Sequence, residues 1–245
     1  MSFNVLQKRI GRKTVPKKLL AEAPVVLMAY DLLECEGVDI RREPLATRRN
    51  LLEKMLSSTP AVAPIRISPE VTGNTWENFK IERGKSRDFG AEGLMLKRRD
   101  SPYLAGRKKG DWWKWKIDPL TIDAVMIYAQ AGSGRRANLF TDFTFAVKNG
   151  NDLIPFTKAY SGLTDEEFLQ ITHWVKRNTL QRFGPVRSVQ AEHVFEIAFE
   201  GIQASPRHKS GIALRFPRML RWRRDKPLNE INTLDDLKKI LLTYG

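Results

Sequence analysis

One cysteine, Cys35, stands in the 245 residues, so no disulfide can form within the chain. This usage fits a reducing compartment, and Cys35 reads as a small apolar filler or a loop residue more readily than as a thiol nucleophile. Histidine is scarce too. His173, His193 and His208 lie far apart in sequence, which argues against a zinc site. No apolar run approaches the roughly 20 residues of a membrane span. The opening Met1-Ser2-Phe3 does not begin a signal-peptide pattern. The expectation is a cytoplasmic protein with no membrane contact. Acid is short against base: 28 Asp and Glu face 42 Lys and Arg, for a net charge of +14. Such an excess is the footprint of a polyanion partner, and nucleic acid is favoured over a merely well-solvated basic surface.

Apolar periodicity divides the chain into two textures. Val25 to Leu33 reads as a buried strand, with Gly37 as the turn after it. Pro44 to Met55 and Thr75 to Glu82 carry helical spacing, and Ile65 to Ile67, Gly93 to Lys97 and Trp112 to Lys116 read as short strands. After Pro119, strands are expected over Thr121–Ala129, Leu139–Val147, Leu153–Tyr160, Val194–Phe199, Ile212–Phe216 and Met219–Arg223. One helix is expected from Thr164 to Arg182, opened by a Thr164/Glu167 capping box, and another from Leu234 to Leu242. The class is therefore α+β, with a boundary near Ile117 to Leu120. The second part suits a small closed β-barrel of the OB type, a five- or six-stranded sandwich being the alternative.

Three clusters carry chemistry. Glu92-Gly93-Leu94-Met95-Leu96-Lys97 puts a carboxylate at the mouth of a strand, where it could hold Mg²⁺ against a phosphate. Trp112-Trp113-Lys114-Trp115-Lys116 alternates strictly, so a strand places Lys114 and Lys116 on one face and Trp113 and Trp115 on the other. Two adjacent ammonium groups suit a shared phosphate, or they form a solvent-facing pair. The third is the densest basic stretch, Arg215-Phe216-Pro217-Arg218-Met219-Leu220-Arg221-Trp222-Arg223-Arg224-Asp225-Lys226. Arg221 and Arg223 share a strand face there and could clamp a polyphosphate or a DNA backbone.

Order strengthens these signals. Tyr30-Asp31-Leu32-Leu33, Glu92 to Lys97, Trp113 to Lys116 and Arg215 to Lys226 resemble motifs III, IV, V and VI of the ATP-dependent DNA ligases, in that family's order. Gln7 to Arg12 and Tyr103 to Arg107 are similar to segments of bacterial ligases. The resemblance implies the carboxy-terminal part of a nucleotidyltransferase (adenylation) domain at residues 1–117 and an OB-fold domain at 118–245. It implies ATP and Mg²⁺ as cofactors, nicked duplex DNA as partner, and service in DNA repair, replication and recombination. Tyr30 would then stack on adenine, and Glu92 would bind the metal. Lys114 and Lys116 would hold the α-phosphate. Arg223, Asp225 and Lys226 would orient the pyrophosphate, and Arg107, Arg218 and Arg221 would contact DNA.

One part of the family pattern has no counterpart. The nucleophilic lysine belongs to a K-x-D-G motif well upstream of the Tyr30 strand, and no such string precedes Tyr30 here. Lys116-Ile117-Asp118-Pro119 is nearest, but it carries proline where glycine is needed. The expectations are a chain that cannot adenylylate itself and exposed apolar surface on residues 1–117. That part should be poorly ordered alone or pair with another chain. Alternatives are a non-catalytic DNA-binding OB module and an RNA ligase or capping-type nucleotidyltransferase, which shares the motif order.

Overall fold

The computed structural model describes residues 3–245, and the chain divides into two compact units at Ile117. In the first unit, α1 (Phe3–Gln7) and α2 (Lys17–Glu22) precede β1 (Leu27–Ala29), β2 (Glu34–Cys35), β3 (Val38–Asp39), α3 (Leu45–Leu56) and β4 (Ile65–Ile67). Then come α4 (Trp76–Gly84), β5 (Gly93–Lys97) and β6 (Trp112–Lys116). The strands pair only in twos: β1 runs parallel to β4, β2 and β3 form a hairpin, and β5 pairs antiparallel with β6. Two-stranded pieces are marginal by themselves, and this unit buries little. Leu19, Ala23 and Leu52 are its buried apolar side chains among the described residues, whereas Leu27 is 64% and Phe89 82% exposed.

The strand expected over Val25–Leu33 is shorter than its apolar run. Pairing stops at Ala29, opposite Ile67, because the next residues turn aside to bring the Asp31 carboxylate onto Arg48 of α3. That side chain is fully buried. Besides Asp31 it donates to the carbonyls of Glu43 and, at 3.1 Å, Ser101. A chain of charge and hydrogen bonds thus does here what an apolar core does elsewhere, holding the loop after β1, helix α3 and the segment after β5 together.

The second unit has a full core. It runs β7 (Leu120–Ala131), β8 (Phe140–Asn149), β9 (Asp152–Ala159), α5 (Asp165–Arg177), β10 (Thr179–Phe183), β11 (Val186–Val189), β12 (Val194–Phe199), β13 (Gly201–Ala204), β14 (Ile212–Arg215), β15 (Arg218–Trp222) and α6 (Leu234–Tyr244). Strand β7 is shared: its first half pairs with β12, its end with β11, and residues from Val125 onward with β8, all antiparallel. Register shifts in the β7–β8 ladder bend the sheet, and a seven-stranded sheet curls around a core rich in phenylalanine. Phe143 stacks on Phe168 of α5 at 6.1 Å, and Phe145 meets Phe195 edge-on at 5.4 Å. Gly162 is obligatory at the turn into α5. Its φ is 113°, and an added Cβ would lie 1.9 Å from the Met219 carbonyl oxygen.

The capping box forms as expected, with the Thr164 oxygen accepting from the Glu167 N–H and the Glu167 carboxylate accepting from the Thr164 N–H. The helix is shorter than Thr164–Arg182, however. Asn178 returns its side-chain amide and its N–H to the Trp174 carbonyl, and the chain enters β10 at the β-branched Thr179. Strands β10, β11 and β13 were not expected. They are short and interrupted by polar residues, and the sheet partner rather than their own pattern defines them. Phe216 leaves β14 in a left-handed turn (φ 52°), uncommon for a bulky residue, and stands exposed with the Arg215 guanidinium 5.1 Å over its ring.

Candidate functional site

The β5–β6 hairpin sets the first cluster. Gly93 pairs with Lys116, Met95 with Lys114 and Lys97 with Trp112, so these side chains share one face. Leu94, Leu96, Trp113 and Trp115 take the other, where Trp76 of α4 meets Trp115 at 5.8 Å and the Arg83 guanidinium lies 4.9 Å above it. The alternation expected of Lys114 and Lys116 is therefore the arrangement found. Gly93 is needed for it, since a Cβ there would sit 2.3 Å from the Trp115 carbonyl oxygen at a φ of 142°. Glu92 lies at the strand mouth, and its carboxylate pairs with the Lys116 ammonium at 3.0 Å. Lys114 stands exposed beside them.

At the far end of the same face the surface is aromatic. Tyr30 is half-exposed and meets Trp112 edge-on at 6.3 Å, and Tyr103 meets the other side of the corner at 5.3 Å from Trp112. Partial burial, then the negative potential of Tyr103 and Asp31, raises the Tyr30 phenol above its ordinary pKa, so it stays neutral near pH 7. Lys97 lies between Tyr30 and Trp112. Neither it nor Trp112 was given a role from the sequence, although both stand at the ends of the clusters quoted there. Arg107 sits exposed in the β5–β6 loop, five residues before Trp112.

In the second unit, Arg223, Asp225 and Lys226 come together around Asp123 of β7. The Asp123 carboxylate accepts from Arg223 at 3.1 Å and from Lys226 at 2.7 Å, and Arg223 also grips Asp225 at 2.8 Å. Asp123 was missed; a lone acid among Ile122, Ala124 and Val125 was the available signal. Hydrogen bonds from Arg223 hold the Asp225 carboxyl at a pKa of about 2, and the same bonds push the guanidinium up. Arg218 and Arg221 project from β15 but are paired across the sheet with Glu200 (3.0 Å) and Glu196 (3.2 Å) of the neighbouring chain segment. An incoming phosphate would compete with these glutamates.

A lysine-bearing hairpin next to an aromatic corner, followed in the chain by a curled antiparallel sheet edged with arginine, makes this a two-part α+β protein with an OB-type second unit. Comparison with known proteins agrees. Residues 1–116 match the family described as the ATP dependent DNA ligase domain, and residues 136–226 match the ATP dependent DNA ligase C terminal region. A probable DNA ligase of Koribacter versatilis is 36% identical over 98% of this chain and 45% of its own length. A DNA ligase of Methanoculleus marisnigri is 34% identical over 97% of this chain and 42% of its own. The solved structure named Pmar-Lig_PreS3 superposes with a TM-score of 0.68 at 18% identity, over 91% of this chain and 49% of that one. A structure from a study of Lig E DNA ligases gives 0.59 at 19% identity, over 87% and 69%. The chain belongs to the ATP-dependent DNA ligase family, and its two parts have adenylation-type and OB-fold-type architecture. It spans less than half the length of these two curated relatives. Their kinship favours DNA ligase over the RNA ligase or capping alternative. Among the described residues no helix is long and apolar enough to cross a membrane.

Proposed function

We propose that the chain serves the nick-joining chemistry of ATP-dependent DNA ligases, holding a nucleotide on the Tyr30–Lys116 face and nicked duplex DNA on basic surface, and that these 245 residues lack the nucleophilic lysine. The observation that carries the reading is the shared face of the β5–β6 hairpin, where Trp112, Lys114 and Lys116 alternate upward beside Tyr30. Tyr30 offers a flat ring for adenine. Lys114 and Lys116 neutralise the α-phosphate as its charge shifts, a positioning and electrostatic role. Arg223, Asp225 and Lys226 orient the pyrophosphate; Asp123 keeps the two cations in register. Arg107, Arg218 and Arg221 contact the DNA backbone.

The donor set suits Mg²⁺ better than a metal that needs an all-protein cage. Among the described residues there is no cluster of three or more metal-ligating side chains, and Glu92 is a single carboxylate of the sort that shares Mg²⁺ with substrate phosphates. Glu92 would hold the ion, which would supply charge neutralisation at the phosphates. With Glu92 on the ion, Lys116, now paired with Glu92 at 3.0 Å, would be available to the α-phosphate.

The apolar surface of residues 1–117 supports pairing with another chain through the edges of β1 and its neighbours. A sharp monomer in analytical ultracentrifugation with little binding of an apolar dye would contradict this. A cytoplasmic setting, and work in DNA repair, replication or recombination, follow from the same reading.

The test is paired titration with ATP and with nicked duplex DNA. Lys114→Ala with Lys116→Ala should abolish ATP binding while most DNA affinity remains. Retained ATP binding in the double variant would remove Lys114 and Lys116 from the nucleotide site, and DNA binding without any ATP binding by the unmodified chain would favour a non-catalytic DNA-binding OB module.

A further inference from the structure

Lys97 ends β5 and faces Trp112 across the hairpin. Its ammonium lies 4.0 Å from the centroid of the Tyr30 ring and 4.2 Å from that of Trp112. Those rings stand at 73° to each other, so one cation occupies the corner between two π surfaces. The nearby carboxylate, Asp31, is already committed to Arg48 through two hydrogen bonds of 2.7 and 2.9 Å. Among the described residues no carboxylate forms an ion pair with Lys97. Half burial pushes its pKa below the ordinary lysine range; Arg49 and Arg48 push the same way, and Asp31 opposes them. A partly desolvated ammonium without a carboxylate is costly. The ring faces offset some of that cost, since their quadrupoles attract cations.

We infer that Lys97 is a positioning residue for the nucleobase: seated on one face of Tyr30, it fixes the ring and makes the remaining exposed surface of that ring a stronger stacking platform for a purine. The inference rests on the nucleotide reading above and goes beyond it. A cation on one π face draws electron density toward itself, which strengthens the attraction of an electron-rich base for the ring. Position along the strand separates Lys97 from the phosphate-facing lysines. Trp112, opposite Lys97, is four residues from Lys116, about 13 Å at the rise of a strand. Lys97 therefore marks the base end of the face, and Lys116 with Glu92 the phosphate end.

The experiment is calorimetric titration of the full chain, with Mg²⁺, by ATP and separately by inorganic tripolyphosphate, which has no base. Lys97→Met should weaken ATP about tenfold and leave tripolyphosphate within about twofold, while Lys97→Arg, which keeps a cation on the rings, should hold ATP within about threefold. Unchanged ATP affinity in Lys97→Met would overturn the inference. Equal losses for both ligands would also overturn it, because Lys97 would then be a phosphate contact. If the unmodified chain binds ATP no better than tripolyphosphate, the nucleotide reading itself falls. Near-UV circular dichroism checks that the aromatic corner is intact, and Lys97→Gln repeats the test should Lys97→Met disturb it.

Discussion

The Arg48 guanidinium donates two hydrogen bonds to the Asp31 carboxylate, at 2.7 and 2.9 Å, with both side chains almost wholly enclosed. The pair fixes Tyr30 by fixing the residue after it. Breaking a buried pair strands a charge and typically costs about 3–5 kcal/mol. Asp31→Asn should therefore strongly destabilise residues 1–117, and Arg48→Met should do the same. Urea unfolding followed by tryptophan fluorescence measures it, and a double-mutant cycle should show a large coupling between the two positions. Independent, small effects would mean that the pair does not hold the loop.

His193 lies between two indoles, 4.2 Å from Trp174 and 5.0 Å from Trp222 by ring centroids, and its Nε2 is enclosed without a hydrogen-bond partner among the described residues. Burial, with some help from Arg224 and against the pull of Glu192, lowers its pKa below the ordinary histidine value of about 6.5. The folded state thus prefers neutral imidazole. Its contribution is fully present above about pH 6.5 and is lost as pH falls through the lowered folded value. The melting temperature should drop between pH 7.5 and 5.5, and His193→Phe should flatten that part of the profile. An equal slope in the variant would assign the acid sensitivity elsewhere.

Asp123 accepts hydrogen bonds from both Arg223 and Lys226 while its side chain is only 11% exposed. Asp123→Asn removes the charge that two cations share and should destabilise the second unit by about 2 kcal/mol. It should also loosen Arg223 and Lys226, which nuclear magnetic resonance of the arginine Nη and lysine Nζ groups would detect. Asp225 behaves differently: with a carboxyl pKa of about 2 it stays ionised down to mild acid, so its grip on Arg223 should not change between pH 5 and 8.

Gly93 and Gly162 are set by close backbone approach at positive φ. Gly93→Ala should pry β5 from β6 and weaken ATP binding through Lys114 and Lys116, whereas Gly162→Ala should act on the second unit's stability alone. Each substitution is expected to cost at least about 1–3 kcal/mol. Thermal unfolding of the two variants checks the division, and nucleotide affinity should follow Gly93 only.

Much of this was legible in residue order. The alternation of Trp112 to Lys116 fixed which lysines share a face, and Thr164 with Glu167 marked a helix start that the structure has in full. What was hidden depends on contacts distant in sequence. The apolar run Val25 to Leu33 looked like one strand because nothing local reveals that Asp31 will be drawn sideways by Arg48, 17 residues on. Asp123 gathers Arg223 and Lys226 from 100 and 103 residues away. Strands β10 and β11 are polar enough that only the pairing of β10 with β11, and of β11 with β7, defines them. Lys97 was read as the end of a motif; the cation site it makes with Tyr30 requires the β1 loop and the hairpin to meet.

The central claim is that these residues handle nucleotide and nicked DNA as a ligase does but contain no lysine able to attack ATP. Intact-mass spectrometry after incubation with ATP and Mg²⁺ tests it most directly. The account predicts an unchanged mass, with ATP binding still detectable by calorimetry. A gain of one AMP, stable to denaturation and mapped to a lysine, would contradict it.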